Sequence, residues 1–279
     1  MKIRHLAKAF AAMGMLALVA ACGEEETGPV YDYPVPGVAK QRIQVGNTDQ
    51  SFEVVLVKAG TFNMGSSATD PVASVTELPS HPVAISEDFF IGTVEVTQRL
   101  YETVLNNNPS RDARGGDYPV ESVDYASALE FCERLSDLTG RTFTLPTEAQ
   151  WEYAARGGHK APSPASVYPG ADILGDVAWC AATSEGSIHP VGQKVSNQLG
   201  IFDMAGNVWE WCLDWYGAGY YSDPELSLAD PQGPHEGTER VIRGGGWNAS
   251  PVSCRVTDRD YAAPTTQRDY IGFRVVMKP

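Results

Sequence analysis

Apolar and polar positions alternate near the start of the globular part of the chain, with Ile43 and Val45, then Phe52, Val54 and Leu56, each two apart. This is the period that sends successive side chains to opposite faces of a strand. The strand-like pattern covers Arg42 to Met64, ends in GTFNMG and returns over Pro82 to Val96, PVAISEDFFIGTVEV. Between them Ser67 to Ser80 is polar and acidic and reads as a loop. The period then lengthens. Thr97 can cap a helix whose apolar face is Leu100, Tyr101, Val104 and Leu105, stopped by Asn106-Asn107-Asn108-Pro109. Asp124 can cap a second, with Ala128, Leu129, Cys132, Leu135 and Leu138 on one side and Gly140 beyond its end. Thr147-Glu148-Ala149-Gln150 forms a capping box for a third, which buries Trp151 and Ala155 before Gly157-Gly158. From Gly158 to Gln193 periodicity fades among Gly, Pro and Ser. No internal repeat and no second domain separates. The pattern predicts one domain of strands and helices, loop-rich with few regular elements.

The N-terminus adds a compartment. Lys2, Arg4 and Lys8 precede an apolar run from Ala9 to Ala21 that is too short to span a bilayer and ends in small residues before Cys22. A basic segment, a short apolar core and a small-residue cleavage site describe an export signal. The cysteine at the cut makes residues 1–21 look like a lipoprotein signal, with Cys22 lipidated as the first mature residue. Residues 22–41, rich in Glu, Pro and Gly, read as a flexible tether, leaving 42–279 as the domain. Gly23, where an aspartate would mark inner-membrane retention, favours the outer membrane. The net charge of −14 argues against a nucleic-acid partner. Loss of residues 1–21 removes three positive charges and no negative one, taking it to −17. Lipid rather than charge would therefore hold the protein at the membrane. The remaining composition, 43% hydrophobic and 20% charged, is that of an ordinary globular domain.

The C-terminal part concentrates the unusual residues. Gly200–Trp215 and Arg240–Val276 together hold four of the six tryptophans, Cys212 and Cys254, and the Gly244-Gly245-Gly246 triplet. From Arg240 onward seven Lys or Arg face three Asp. Here GNVWEW, RGGGW and IGFRVV, preceded in order by GTFNMGS, VEVTQRLY and LPTEAQWEYAARGG, resemble the formylglycine-generating enzyme family, the sulfatase-modifying-factor domain. The likeness runs from about Phe52 to the end and implies a C-type-lectin-like α+β fold.

The resemblance also sets expectations for chemistry. Family members that make formylglycine use two tail cysteines, soft ligands for Cu(I). The matching positions here are Ala249 and Cys254, and alanine cannot ligate copper. Copper is therefore not expected, and formylglycine synthesis is disfavoured. The alternative is a metal-dependent oxidase or sulfatase-maturation enzyme that uses Cys254 with another partner. Iron-dependent sulfoxide synthases share the domain but draw histidines from a separate helical domain, whereas His81, His159, His189 and His235 are scattered here. Asp203, Gly206, Val208 and Glu210 match a family calcium position, two carboxylates and two carbonyls suited to a hard cation. The competing reading has Asp203 capping a turn and Glu210 paired with a tail arginine. Cys132, Cys180, Cys212 and Cys254 allow three disulfide pairings in an oxidising compartment, of which 212–254 would join the two unusual stretches. Cys132, on a helix's apolar face, also reads as a small buried hydrophobe.

Trp247, Asn248, Ser250, Asp258, Asp260, Tyr261, Asp269 and Tyr270, with Ser253, Thr265 and Thr266, combine aromatic area with adaptable polar groups, the composition of a binding surface. Variable proteins of diversity-generating retroelements look similar, with a lectin-like domain ending in such a tail. The opposing reading makes the tail's arginines and aspartates a structural ion-pair lattice. No G-x-S-x-G elbow, phosphate loop or zinc signature is present. The sequence reading is thus an envelope lipoprotein whose domain is a non-catalytic binding or scaffolding module, for an envelope protein, peptide or glycan.

Overall fold

Two hairpin-like pairings begin the domain. In the computed structural model, which describes residues 35–223 and 226–279, β1 (Lys40–Gln44) pairs antiparallel with β2 (Ser51–Val57). The signal, Cys22 and most of the tether lie outside the described residues. β3 (Gly60–Met64) pairs with β4 (His81–Ile85), and β5 (Phe89–Gly92) returns to β2. The stretch read as one strand over Pro82–Val96 is therefore two, belonging to different sheets. Val54, Val55 and Val57 are all buried while Phe52 and Leu56 are only partly so. β2 is thus covered on both faces, which simple alternation does not convey. The acidic loop 67–80 carries one turn of 3-10 helix, Val75–Glu77, whose capping box with Ser74 draws Glu77 fully inside.

The helices start and stop where their caps are written. In α1 (Gln98–Leu105) the Leu100 N–H donates to Thr97 Oγ1 at 3.2 Å, and Asn106 ends the helix in the left-handed region. In α2 (Tyr125–Thr139) Ser127 N–H donates to Asp124 Oδ1 at 2.9 Å, and Gly140 closes it at φ 67°. After the short strand β6 (Phe143–Thr144), α3 (Glu148–Ala155) has the reciprocal Thr147–Gln150 capping box. A single-turn α4 (Leu174–Val177) interrupts the long loops that lead to β7 (Trp209–Trp215), β8 (Arg240–Arg243), β9 (Asp260–Ala262), β10 (Ile271–Gly272) and β11 (Val276–Met277). Among the described residues no helix is long and apolar enough to cross a membrane.

The strands form a five-stranded antiparallel sheet in the order β1-β2-β5-β11-β6, a four-stranded sheet β10-β7-β8-β9 with β10 parallel to β7, and the β3-β4 pair. One apolar cluster joins α1 and α2 to the sheets. In it Tyr101 stacks on Phe131 at 5.4 Å, and Phe131 meets Phe273 edge-on at 5.2 Å. A second gathers Trp151, Ile201, Met204, Cys212 and Val241 around α3, and a small third holds Val177, Ala178, Cys180, Ala205 and Cys254. The result is a mixed helix and strand fold in which ordered loops carry much of the chain, as the sequence predicts.

Candidate functional site

The tail's positive charge is turned inward. Arg259 grips both oxygens of Glu148 at 2.6 and 2.7 Å, and Arg274 does the same to Glu210. Arg255 donates to both oxygens of Glu77 at 2.7 and 2.9 Å. Arg243, fully buried, reaches Glu152 at 2.5 Å and also donates to the carbonyls of Val256, Thr257 and Asp258. Arg240 lies over the Trp215 ring at 3.4 Å, while Arg268 and Lys278 face solvent. An ion-pair lattice of the tail's arginines thus exists, but besides Asp258 its carboxylates come from upstream segments, Asp70 and four glutamates. Planar, bidentate guanidinium contacts of this kind fix orientation as well as charge. Burial pushes the Glu77 and Glu148 carboxyls up, yet Arg255 for one, Arg259 and Arg243 for the other, bring both below the ordinary range.

Asp214 is the exception. Burial first, then the charge of Glu148, pushes its carboxyl up to about 8, although Glu148 N–H donates to it at 2.7 Å. The folded chain keeps this proton up to about pH 8, and the unfolded chain releases it near pH 4. Stability from this group is therefore complete below about pH 4 and is lost as pH rises through about 8. Asp214→Asn, which still offers an oxygen to Glu148 N–H, removes that dependence. Its stability relative to the parent is expected to climb between pH 4 and 8 in urea unfolding, and a difference that stays flat would place the normal ionisation at Asp214.

With the arginines inside, other tail residues occupy the surface. Gly244 and Gly245 follow β8 at φ 96° and 81°, and a Cβ on Gly245 would lie 2.8 Å from the Cys254 sulfur. This turn delivers Trp247, half-buried, whose N–H donates to the Asn207 carbonyl at 2.7 Å and whose indole Nε1–H donates to the Asp269 carbonyl at 2.9 Å. Its own carbonyl accepts from Ser184 Oγ at 2.7 Å. Asn248 and Ser250 beside it are exposed, Tyr270 packs on Gly246, and the Asp269 carboxylate is 3.9 Å from Arg111.

The eight residues expected to form one binding surface are divided. Trp247, Asn248, Ser250, Asp269 and Tyr270 make one face. Tyr261, 44% exposed, packs tilted against Tyr216 at 4.4 Å beside Asp260 on β9. Asp258 belongs to the lattice, its carboxylate 3.6 Å from Arg255. The sequence reading missed Ser184, Trp179 and His189, the last stacked on Trp179 at 3.7 Å and bonded to the Ser184 carbonyl at 2.7 Å. They come from the aperiodic stretch, where only the histidine stood out, and only as one of four scattered histidines.

The Asp203–Glu210 turn lies directly behind this face. Asp203 (φ 56°), Gly206 and Asn207 are all left-handed. Asp203 Oδ2 accepts from Gly192 N–H at 2.6 Å, while the buried Oδ1 has no hydrogen-bond partner. Both Glu210 oxygens are engaged by Arg274, and one also by Trp151 Nε1–H at 2.7 Å. Glu95 accepts from Asn207 Nδ2 at 2.7 Å and Val208 N–H at 3.0 Å. Burial, followed by the charges of Asp203 and Glu210, holds the Glu95 carboxyl well above the ordinary range, and burial raises Asp203 to about 6. Both halves of the competing reading are therefore visible: Glu210 has its arginine, and Asp203 has a backbone donor with one oxygen left over. Among the described residues no group of three or more His, Cys, Asp or Glu is arranged to hold a metal ion.

The described cysteines, Cys132, Cys180, Cys212 and Cys254, are free buried thiols. The structure does not bring Cys212 and Cys254 together. β7 points Cys212 into the layer of Trp151 and Val241, whereas the 3-10 turn Pro251–Cys254 carries Cys254 into the third cluster beside Cys180. Burial alone raises the Cys132 thiol, and mainly burial the Cys212 thiol.

Known proteins are similar to this chain. A chaperone protein, LppX, of Paenibacillus barcinonensis is 31% identical over 255 residues, covering 74% of this chain and 82% of the relative. The formylglycine-generating enzyme of Thermomonospora curvata is 31% identical, covering 90% and 99%. A serine/threonine-protein kinase, pkn1, of Chlamydia pneumoniae is 32% identical over 80% of this chain, which spans only 37% of that protein. Among solved structures, Treponema denticola variable protein 1 superposes with a TM-score of 0.73 at 28% identity, covering 86% of this chain and 99% of that one. Residues 40–279 match the profile of the sulfatase-modifying factor enzyme 1-like domain. With that match spanning the sheets, the arginine lattice and the tail, the chain belongs to the sulfatase-modifying factor enzyme 1-like domain family.

Proposed function

We propose that this chain is a non-catalytic binding or scaffolding module of the cell envelope, anchored at the outer membrane by lipid on Cys22, that presents the Trp247 face to a protein, peptide or glycan. One observation carries the reading. Position 249 is alanine, and Cys254 is buried with its thiol held protonated by the neighbouring Cys180 and by burial. A protonated, enclosed sulfur is a poor nucleophile and a poor metal ligand. Trp247, Asn248 and Ser250 meanwhile lie at the surface on a turn fixed from behind by Asn207 and Ser184, a rigid aromatic anchor among adaptable polar groups. The relative named as a chaperone protein supports a protein partner.

A photo-crosslinking side chain placed at Asn248 or Ser250 in cells is expected to give the same discrete adduct, and one at exposed Lys278 is not. Adducts indifferent to position would remove the face from the reading. The rival, an oxidase that uses Cys254, predicts copper-dependent oxygen uptake with a cysteine peptide that is lost in Cys254→Ser, and none is expected.

Calcium belongs to the same proposal. The partnerless Asp203 oxygen, in a pocket of excess carboxylate, is the feature a hard cation would relieve. Asp203 and the carbonyls of Gly206 and Val208 would hold it, with Glu210 contributing only while still bound to Arg274. Its role would be to stiffen the turn that carries Asn207. At roughly a hundredfold its dissociation constant, calcium is expected to add about 2.7 kcal/mol to stability. EDTA should reverse the gain and Asp203→Ala abolish it, and an unmoved melting curve would refute the site.

A further inference from the structure

Cys180 and Cys254, from segments distant in sequence, meet in the small third cluster with Val177, Ala178 and Ala205. Both are fully buried, neighbours in a cluster of only five buried residues, and each thiol is the strongest influence on the ionisation of the other. Local structure holds each in place. On one side a turn is drawn tight by Thr183 and Ser184 N–H groups donating to the Cys180 carbonyl at 2.9 and 2.8 Å. Thr183 Oγ1 accepts from Cys180 N–H at 3.0 Å, donates to the Ala178 carbonyl at 2.6 Å and stands 3.7 Å from the Cys180 sulfur. Ala181 N–H donates to the Ala249 carbonyl at 2.9 Å, pinning this turn to the tail. On the other side the 3-10 turn swings Cys254 inward, and the bare Cα of Gly245 leaves room for its sulfur.

The two sulfurs are not equivalent. The Cys254 S–H is the strongest influence on Cys180; burial opposes it, and the N–H groups of Ala182 and Thr183 with the Thr183 hydroxyl add to it, bringing Cys180 down to about 5. The same proximity raises Cys254. A thiolate beside a thiol is the arrangement in which one sulfur attacks and the other resolves. Cys132 and Cys212, by contrast, are buried thiols whose sulfurs do not share that cluster.

We infer that Cys180 and Cys254 are a disulfide-forming pair, oxidised by exchange with a disulfide-bearing small molecule or oxidoreductase of the exported compartment, and that the bond fastens the 178–184 turn to the tail beneath Trp247. The Cys180 thiolate attacks one sulfur of the external disulfide, forming a mixed disulfide and releasing one thiolate. With the turn open and the Cys180 thiolate, the first cause of the raised Cys254 pKa, consumed in the mixed disulfide, Cys254 then attacks the Cys180 sulfur, its proton passing to the departing second sulfur. Two electrons leave the pair and reduce the external disulfide to a thiolate and a thiol. Because both sulfurs are enclosed, exchange proceeds while the turn is open, during folding or in a local opening.

The test equilibrates the full chain in glutathione buffers of increasing oxidised fraction, quenches in acid, unfolds, alkylates and maps the peptides. The expected result is a linked Cys180–Cys254 peptide pair with Cys132 and Cys212 fully alkylated, and a melting temperature that rises on oxidation and falls back with dithiothreitol. Cys180→Ser and Cys254→Ser should each lose the dithiothreitol-dependent shift. If neither variant folds, the peptide map of the parent chain decides alone. Cys180 and Cys254 both alkylated at every buffer ratio, separate glutathione adducts on each, or a link to Cys132 or Cys212 would overturn the pairing. So would protection that a chelator removes without any linked peptide, since that is a metal site.

Discussion

Arg243→Ala is expected to lower the unfolding free energy by about 3–5 kcal/mol, the cost of breaking a buried ion pair by removing one partner. Arg243 touches Glu152 at 2.5 Å and stands 3.7 Å from Glu148, with all three side chains enclosed. Glu148 keeps Arg259, and Glu152 keeps Arg156, so the acids are not abandoned. What goes is the cation between them, together with the donors that hold the carbonyls of Val256, Thr257 and Asp258. Arg243→Lys should rescue little, because one ammonium cannot reproduce a planar fork shared among several acceptors. Pairing Arg243→Met with Glu152→Gln should recover part of the loss by removing charge from both sides. Urea unfolding followed by tryptophan fluorescence measures all three. A loss below about 1 kcal/mol, the level of a solvated pair, would mean that water reaches these carboxylates.

Gly206→Ala is the second large effect. A Cβ there would lie 2.0 Å from the Trp179 carbonyl oxygen and 2.8 Å from its nitrogen, at a φ of 82°. These are backbone atoms, already engaged because Trp179 accepts from Asn207 N–H at 2.7 Å and Gly206 N–H donates to the Gly244 carbonyl at 2.8 Å. Overpacking costs about 1–3 kcal/mol, and the left-handed backbone adds about 1–2 kcal/mol for a residue with a Cβ. Relief requires the 179 segment to separate from the turn, which shifts the Asn207 carbonyl that positions Trp247. Melting temperature and crosslinking through Asn248 should therefore fall together. Gly175→Ala, where nothing lies within 4 Å of the new Cβ, is the control and should leave both unchanged.

These contacts separate what the sequence makes readable from what it hides. Thr97, Asp124 and the Thr147–Gln150 box declare their helices because a cap acts on N–H groups two or three residues away. The ordered motifs likewise identify the fold. The lattice is different: the tail displays its arginines, but Glu77, Glu148, Glu152 and Glu210 are supplied by tertiary packing that no local period encodes. The single expected surface breaks up for the same reason, since Asp258 is drawn to Arg255 while Tyr261 is taken by Tyr216. Among the cysteines, nearness to two striking motifs pointed to Cys212, whereas the turn that brings Cys180 to Cys254 sits in a stretch without periodicity.

The position of β11 governs when the domain can fold. Residues 276–277 pair with both β5 and β6, between strands whose own sequences end at residue 92 and begin at residue 143. A chain emerging in order during synthesis would hold β1, β2 and β5 with the inner edge of β5 open until this late segment arrives. Open edges invite pairing with other chains, and closing so long a loop is slow. Vectorial, piece-by-piece folding is therefore closed to this sheet. Its completion waits for residues 276–277, and any factor that guards the nascent domain has to shield the β5 edge.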